Sequence, residues 1–550
     1  MDSSASPLVV PVADDVLIRR LAELNQIGIA LSQEKNLNCL LETILVAAKK
    51  ITHADGGTLY RRHAANKNAL QFEIIRTDSL GIAMGGTTGT RVPFEPVLLR
   101  DGDGRENTTM VAAYAVLKDS TVNIADAYRE KGFDFTGTQA FDRRTGYRSQ
   151  SFLTVPMKNH EGEIIGVLQL INAKDPATGR IVPFSETDQR LAESLASQAA
   201  VALTNRLLIL QLENLFESFI TLINDAIDDK SPYTGGHCKR VPVLTMLLAE
   251  AVHRTTEGPL GEWSMTDRDR YELKIAGLLH DCGKVTTPVH VVDKATKLQT
   301  IHDRIDLVDT RFDVVRRDAE IAMLRAAAQP GADAAALEQG LRERLREIAA
   351  DQKFLHDCNT GSEAMQPADQ DRVRAISRRY RVVRGPEGEA DFLTPDEVKN
   401  LTIRAGTLTT EERQVINHHI NVTIKMLESL PWPKHLKNVP EYAGGHHERM
   451  DGQGYPRGLT REQMSIQARI MGIADIFEAL TARDRPYKKG QTLTESLHIL
   501  GQLRLNGHVD PDLFDIFVRE RVYLRYAEQF LEVAQIDEVD VSRIPGYSGD

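Results

Sequence analysis

Between His446 and Pro456 the chain reads His446-His447-Glu448-Arg449-Met450-Asp451-Gly452-Gln453-Gly454-Tyr455-Pro456, two adjacent imidazoles and two carboxylates in one Gly-rich stretch. Imidazole is the commonest side-chain metal ligand, and carboxylates are the usual oxygen partners for hard or borderline cations. Gly452, Gly454 and Pro456 predict a tight loop holding those carboxylates close to the imidazoles. The same residue types recur as His237, His280-Asp281, His419 and Asp475. Asp281 follows the apolar run Leu273, Ile275, Ala276, Leu278 and Leu279, and Asp475 lies inside the apolar run Ile470 to Leu480. A buried carboxylate is costly unless a cation or a donor compensates it. Alone, each could equally be a hydrogen-bonded or salt-bridged core residue, and the histidine pair a polar surface turn. Together, the five imidazoles (His237, His280, His419, His446, His447) and the carboxylates Asp281 and Asp475 suffice for two metals sharing a bridging carboxylate.

Such a site needs a scaffold, and 550 residues are enough for at least two domains. A hydrophobic content of 41% and a charged content of 26% are those of an ordinary globular protein. The net charge of −11 offers no footprint for nucleic acid or an anionic membrane, while leaving room for a local basic pocket. Cys39, Cys238, Cys282 and Cys358 are scattered, which reads as reduced thiols and a cytoplasmic setting. The opening residues show no basic start before an apolar patch, and no run approaches 18 continuous apolar residues, so neither a signal peptide nor a membrane span is expected.

Apolar spacing predicts helix over 15–54, broken at Asn36 to Asn38. Strand-like segments follow, with the clearest pair at 151–157 and 164–171, joined by Asn159-His160-Glu161-Gly162. A helix is predicted from Ser185 to Asp229. Within it Leu208, Leu212, Leu215, Phe219, Leu222 and Ala226 step 4-3-4-3-4, the spacing of a coiled-coil seam. The alternatives are a parallel dimer helix and a helix packed on its own domain.

Thr145-Gly146-Tyr147-Arg148-Ser149, Val155-Pro156-Met157, Gly162 to Asn172 and Phe184 resemble a GAF domain, and Asn123 to Tyr128 is similar to the GAF domains of cyclic-nucleotide phosphodiesterases. Asn172, Lys174, Phe184 and Asp188 fit that family's structural set, with Gln189 where Glu is expected. The resemblance implies an α+β sensor over 15–205 that takes an unknown small molecule, or serves as a dimerisation or redox module. Residues 206–230 would be a connecting helix.

His237, His280-Asp281-Cys282-Gly283-Lys284, Leu408 through His419, His446 to Pro456, Asp475 and Asp484-Arg485-Pro486-Tyr487-Lys488 resemble the HD-GYP family of cyclic di-GMP phosphodiesterases. The resemblance implies an all-α domain over 231–540 with an iron or manganese centre that hydrolyses a phosphodiester to linear pGpG, with pGpG and GMP as the alternative final products. Carried over, one metal takes His237, His280 and Asp475; the second takes His419, His446 and His447, with Asp281 bridging. Asp281 and Lys284 would be catalytic. Lys284, Asp451, Gly454, Tyr455, Arg485 and Lys488 would meet the substrate. His290 and His418 have no slot in the motif. Family members with three metals place Glu four residues before the first ligand histidine; here that residue is Tyr233, so two metals are expected. A phenol with an unperturbed pKa near 10 is a poor substitute ligand.

Between Lys284 and Leu408 the chain is longer than the family pattern. Ile305, Val308, Phe312, Val315, Ala319, Ala322 and Ala326, then Leu337, Leu341, Leu345 and Ile348, predict a helical hairpin with one apolar seam at about 300–400. It would be a lid, a dimer contact or a partner surface. The expectation is a homodimeric, GAF-regulated phosphodiesterase. Its rival is a weakly catalytic cyclic-dinucleotide receptor or scaffold that binds a diguanylate cyclase.

Overall fold

The computed structural model describes residues 12–63, 66–230, 236–361, 364–383, 388–483 and 490–549. The chain divides into two compact units, 1–215 and 216–550.

In the first unit α1 (Val12–Gln33) and α2 (Leu37–Ile51) are separated at the predicted break, where the Asn36 side chain accepts from the Asn38 and Cys39 amides and caps α2. Eight strands follow: β1 (Ala54–Arg62), β2 (Ala69–Thr77), β3 (Ile82–Gly85), β4 (Val97–Leu98), β5 (Val122–Ile124), β6 (Phe152–Lys158), β7 (Ile164–Lys174) and β8 (Ile181–Val182). They form an antiparallel sheet of order β3-β2-β1-β7-β6-β5, with β4 on β2 and β8 on β7. The two-residue period divides its faces. Leu59, Leu153, Leu168 and Leu170 pack with α2 and with Leu191, Leu195 and Ala199 of a later helix. Thr58, Tyr60, Gln169 and Ile171 face the other way. With α3 (Val111–Lys118) and α4 (Thr136–Thr145) they line a cavity of about 600 Å³. Asn172 explains its place in the motif. At φ 58° its side chain accepts from the Gln150 and Ser151 amides and donates to Arg148 O, locking the entry to β6.

That later helix is α5 (Glu186–Lys230), unbroken for 45 residues. Its seam residues Leu208, Leu212, Leu215, Phe219 and Leu222 are all exposed, while Ile220 and Ile227, about 100° round the helix from the seam, are buried in the second unit's core. Among the described residues α5 is also the one helix long and apolar enough to cross a membrane by length and composition. Its sequence holds no long unbroken apolar run, because Gln211, Glu213, Asn214 and Glu217 interrupt it.

The second unit is helical: α6 (His237–Arg254), α7 (Asp267–Leu279), α8 (Val289–Val292), α9 (Ile305–Ala327), α10 (Ala334–Asn359) and α11 (Pro367–Arg379). After a two-stranded hairpin of β9 (Arg381–Val383) and β10 (Glu389–Asp391) come α12 (Pro395–Leu401), α13 (Thr410–Asn417), α14 (His419–Glu428), α15 (Val439–Gly444) and α16 (Ile466–Thr481). The unit closes with α17 (Leu493–Leu505), α18 (Pro511–Arg519) and α19 (Val522–Phe530). Its main core gathers Val241, Leu244 and Leu248 of α6 with Ile470, Ile473 and Phe477 of α16 and Phe514 and Phe517 of α18.

The inserted segment is more than a two-helix hairpin. Only the base of its seam is buried, through Ile305, Val308, Phe312, Val315 and Ile348, and Val373, Ile376, Tyr380, Val382 and Phe392 complete that core from α11 and the hairpin. The distal alanines are too small to build a core between two helices, and Ala322 lies exposed.

Candidate metal centre

The helices put chemistry at their ends. His237 is the first residue of α6 and His419 the first of α14; His280 caps the C-terminus of α7, with Asp281 next. His446 and His447 follow α15, and Asp475 projects from the middle of α16. Gly283 lets these ends meet. A Cβ there would stand 2.1 Å from His419 O and 2.6 Å from the Thr423 amide, and the Gly283 amide donates to Thr423 Oγ1 at 2.9 Å. The turn carrying Asp281 thus seats directly on the start of α14.

Two donor groups result. His237, His280 and Asp475 bring one ligand atom each within 4.8 Å of one another, as do Asp281, His419, His446 and His447. Asp281 spans them: Oδ2 lies 3.0 Å from His237 Nε2 and 3.2 Å from His280 Nε2, and Oδ1 lies 3.2 Å from His419 Nε2. His237 Nε2 is 3.3 Å from Asp475 Oδ1, and His447 Nε2 is 3.3 Å from His419 Nε2. Asp281 Oδ1 and His446 Nε2 are buried without a hydrogen bond. Converging imidazole nitrogens and unbonded buried acceptors fit cations, which accept lone pairs where another protein donor is lacking. The cluster can therefore hold metal.

Residues 36–203 match the GAF domain family, and residues 234–353 and 392–513 match HD domain families. The chain joins a GAF domain to an HD domain. Among curated relatives, a cyclic di-GMP phosphodiesterase of Pseudomonas aeruginosa is 38% identical over 125 residues, 23% of this chain and 28% of its own. A 3'3'-cGAMP-specific phosphodiesterase of Vibrio cholerae is 46% identical over 129 residues, again 23% of this chain and 28% of its own. The match thus spans under a third of the length of either relative. A GAF domain structure from a phosphoenolpyruvate-protein phosphotransferase of Coxiella burnetii covers 34% of the chain and 95% of its own, at 15% identity and TM-score 0.26.

Within the HD domain the electrostatics of His446 and His447 suit ligation, while the burial of His237 is outweighed by the carboxylates of Glu478, Asp281 and Asp475, which hold it above the ordinary histidine range. Burial and the neighbouring imidazoles His447 and His280 hold His446 well below the ordinary histidine pKa, and burial lowers His447 to about 4. Both are neutral at neutral pH, as ligands must be. Burial would raise Asp281, yet Lys284 and the imidazoles of His280 and His237 hold it well below the carboxylate range. Lys284 Nζ sits 2.5 Å from Asp281 Oδ2. The cluster is buried at His280 and His419 and opens to solvent at His447, Asp475 and Lys284.

The loop after His447 serves partly as scaffold. Asp451 is exposed and turned back to Arg449 at 2.6 Å and to the Gln453 amide at 2.9 Å. Gly454 packs on the backbone, where a Cβ would meet Glu448 Cα at 2.5 Å. Tyr455 stacks on the His447 ring with centroids 4.9 Å apart, so of the three it alone touches an expected ligand. Arg485 and Lys488 lie outside the described residues, as does Tyr233. His290 and His418 are not among the clustered donors.

Sequence reasoning passed over the groups behind the cluster. Glu448 is buried and accepts from the Arg457 and Leu459 amides at 2.7 and 2.9 Å, which shapes the loop. Glu478, fully buried, accepts from His237 and from Arg240. Its only signal was its place three residues after Asp475, on the same helical face. Lys294, also buried, bonds Asn400 and both oxygens of Glu412 at 2.8 Å, fastening the inserted segment to α13 just before His419. The C-terminus of α5 is tied in as well. Asn224 donates to Leu278 O at 2.8 Å, Asp228 accepts from the Gly236 amide at 3.0 Å, and Lys230 donates to Val285 O.

Proposed function

We propose that the HD domain is a metal-dependent phosphodiesterase of the HD-GYP type that hydrolyses cyclic di-GMP to linear pGpG, GMP following from a second cut. The carrying observation is Asp281, whose two oxygens face separate groups of imidazoles. In this reading His237, His280 and Asp475 hold one iron or manganese ion, His419, His446 and His447 the other, and Asp281 joins them. Two such ions lower the pKa of water and neutralise phosphate charge, the chemistry phosphodiester hydrolysis requires. The residues of the chain do the rest. Lys284, at the open side, meets a non-bridging phosphate oxygen, with Arg485 and Lys488 as further cations and Arg the better bidentate partner. Tyr455, stacked on His447, walls the substrate, and Asp451 and Gly454 shape the loop that carries it. Water oxygen bonds to phosphorus, the P–O3' bond breaks, and the 3' oxygen leaves as a hydroxyl.

The reading extends to the whole chain: a GAF sensor over 15–205 binding a small molecule, a connecting helix over 206–230, and a phosphodiesterase domain over 231–540, working as a cytoplasmic homodimer with a diguanylate cyclase as candidate partner. The exposed seam of α5 supports the dimer. A second substrate, 3'3'-cGAMP, is favoured by the 46% identity to an enzyme named for it. Both dinucleotides should therefore be assayed with wild type and Asp281→Asn. Wild type should linearise at least one; the variant should fold, bind less metal and lose hydrolysis by at least about 100-fold, since an amide bridges two cations poorly. Near-wild-type turnover by the variant would end the bridging assignment. Wild type that binds nucleotide without cleaving it would leave the receptor role instead.

A further inference from the structure

The ligand imidazoles are not held alike. His280 lies with Nδ1 2.7 Å from Gly277 O, His419 with Nδ1 2.6 Å from Ile416 O, and His446 with Nδ1 2.7 Å from Ala443 O. A carbonyl only accepts, so each Nδ1 carries the proton and each Nε2 lone pair points into the cluster. All three histidines end a helical turn, which brings the carbonyl three residues back within reach. His237 is the first residue of its helix, directly behind Gly236 at φ 84°. Its Nδ1 instead lies 2.5 Å from Glu478 Oε2, while Glu478 Oε1 accepts from Arg240 Nε at 2.7 Å. Glu478 is 0% exposed, three residues along α16 from Asp475.

We propose that Glu478 is a positioning residue for the metal held by His237, His280 and Asp475, fixing the proton of His237 on Nδ1 and aiming Nε2 at the ion with a charged partner where His280, His419 and His446 use neutral carbonyls. The proposal rests on the metal-dependent reading above. A carboxylate behind a ligating imidazole raises its basicity, and removing such a partner typically costs about 10- to 100-fold in metal affinity. The effect belongs to one metal position, because among the described residues the ligand that Glu478 hydrogen-bonds is His237. Arg240 has the companion role of holding the carboxylate in line and tempering its charge.

The experiment titrates metal-free full-length protein with Mn(II) and counts bound ions per chain by equilibrium dialysis, for wild type, Glu478→Gln and Glu478→Asp. Gln keeps the shape and removes the charge; Asp keeps the charge and leaves a small gap. Wild type should bind two ions. Glu478→Gln should keep one at wild-type affinity and bind the other about 10- to 100-fold more weakly, with Glu478→Asp between the two. Gln equal to or better than Asp would show a packing role and overturn the proposal, as would two undisturbed sites in the Gln variant. Should the Gln variant fail to fold, an Asp variant losing both ions equally would overturn it, and one losing a single ion would support it. Wild type that binds no Mn(II) would instead defeat the metal-dependent reading itself.

Discussion

Gly283 shows how little room the centre leaves. Its missing side chain is what lets the Asp281 turn lie on the first turn of α14, and the atoms a methyl would strike are backbone, which cannot swing aside. Gly283→Ala should therefore destabilise the HD domain by about 3 kcal/mol, at the upper end of overpacking costs, and push His419 away from Asp281. Denaturant unfolding of the two proteins checks this; an unchanged midpoint would mean that the turn yields more easily than its contacts imply. At this scale the sequence was most legible where the residue type is rare and reactive. Five histidines and two aspartates named themselves by chemistry, and they meet. Asp451 has the same chemistry but spends it on Arg449, and a sequence does not say which neighbour a carboxylate will choose. Glu478 was invisible for the converse reason, since one more acid in a helix looks like solvated charge until its burial is known.

Elements are held in register by buried charge as well as by the core. Asp510 caps α18 by accepting from the Asp512 and Leu513 amides, and it also binds Arg461, which follows the glycine-rich loop, and Arg469 on α16. Burial would raise its pKa, but Arg461 and Arg469 hold it below the ordinary value of 3.8. A carboxylate depressed in the folded state stabilises above its unfolded pKa and loses that contribution as pH falls through the folded one. Asp510→Asn keeps a good cap but takes the carboxylate from Arg469 and leaves Arg461 with Asp512 alone, so it should cost about 3 kcal/mol at neutral pH. The gap between variant and wild type should narrow below about pH 4. Urea titrations at pH 7 and pH 3 measure both effects, and an equal gap at both would contradict the assignment. Helices and the main strand pair were readable because their apolar periods are long and regular. The third layer of the inserted segment was not: α11 is rich in arginine and its hairpin strands have three residues each, too short for a period to show.

For the whole molecule, the seam of α5 is where the proposed dimer can be tested. A 4-3 pattern arises whether a helix packs on its own domain or on a partner's, and here its residues stay exposed, with no described residue of α5 between 204 and 219 buried, while Ile220 and Ile227 are buried nearer its end. Glutamates in place of Leu212 and Leu215 should shift the mass seen by light scattering from dimer toward monomer without lowering the melting temperature of either domain. A persistent dimer would move the interface elsewhere.

The last turns of that helix have one more consequence. Asn224, Asp228 and Lys230 grip the carbonyl ahead of His280, the amide ahead of His237 and the turn beside Lys284. On the His419, His446 and His447 side α5 offers apolar packing, Phe216 edge-on against Trp432, and the hydrogen bonds come from Lys294, which fastens α13 to the inserted segment. A twist of α5 is thus geared to one jaw of a vice whose other jaw is bolted to a different frame, and Asp281 is the screw between them.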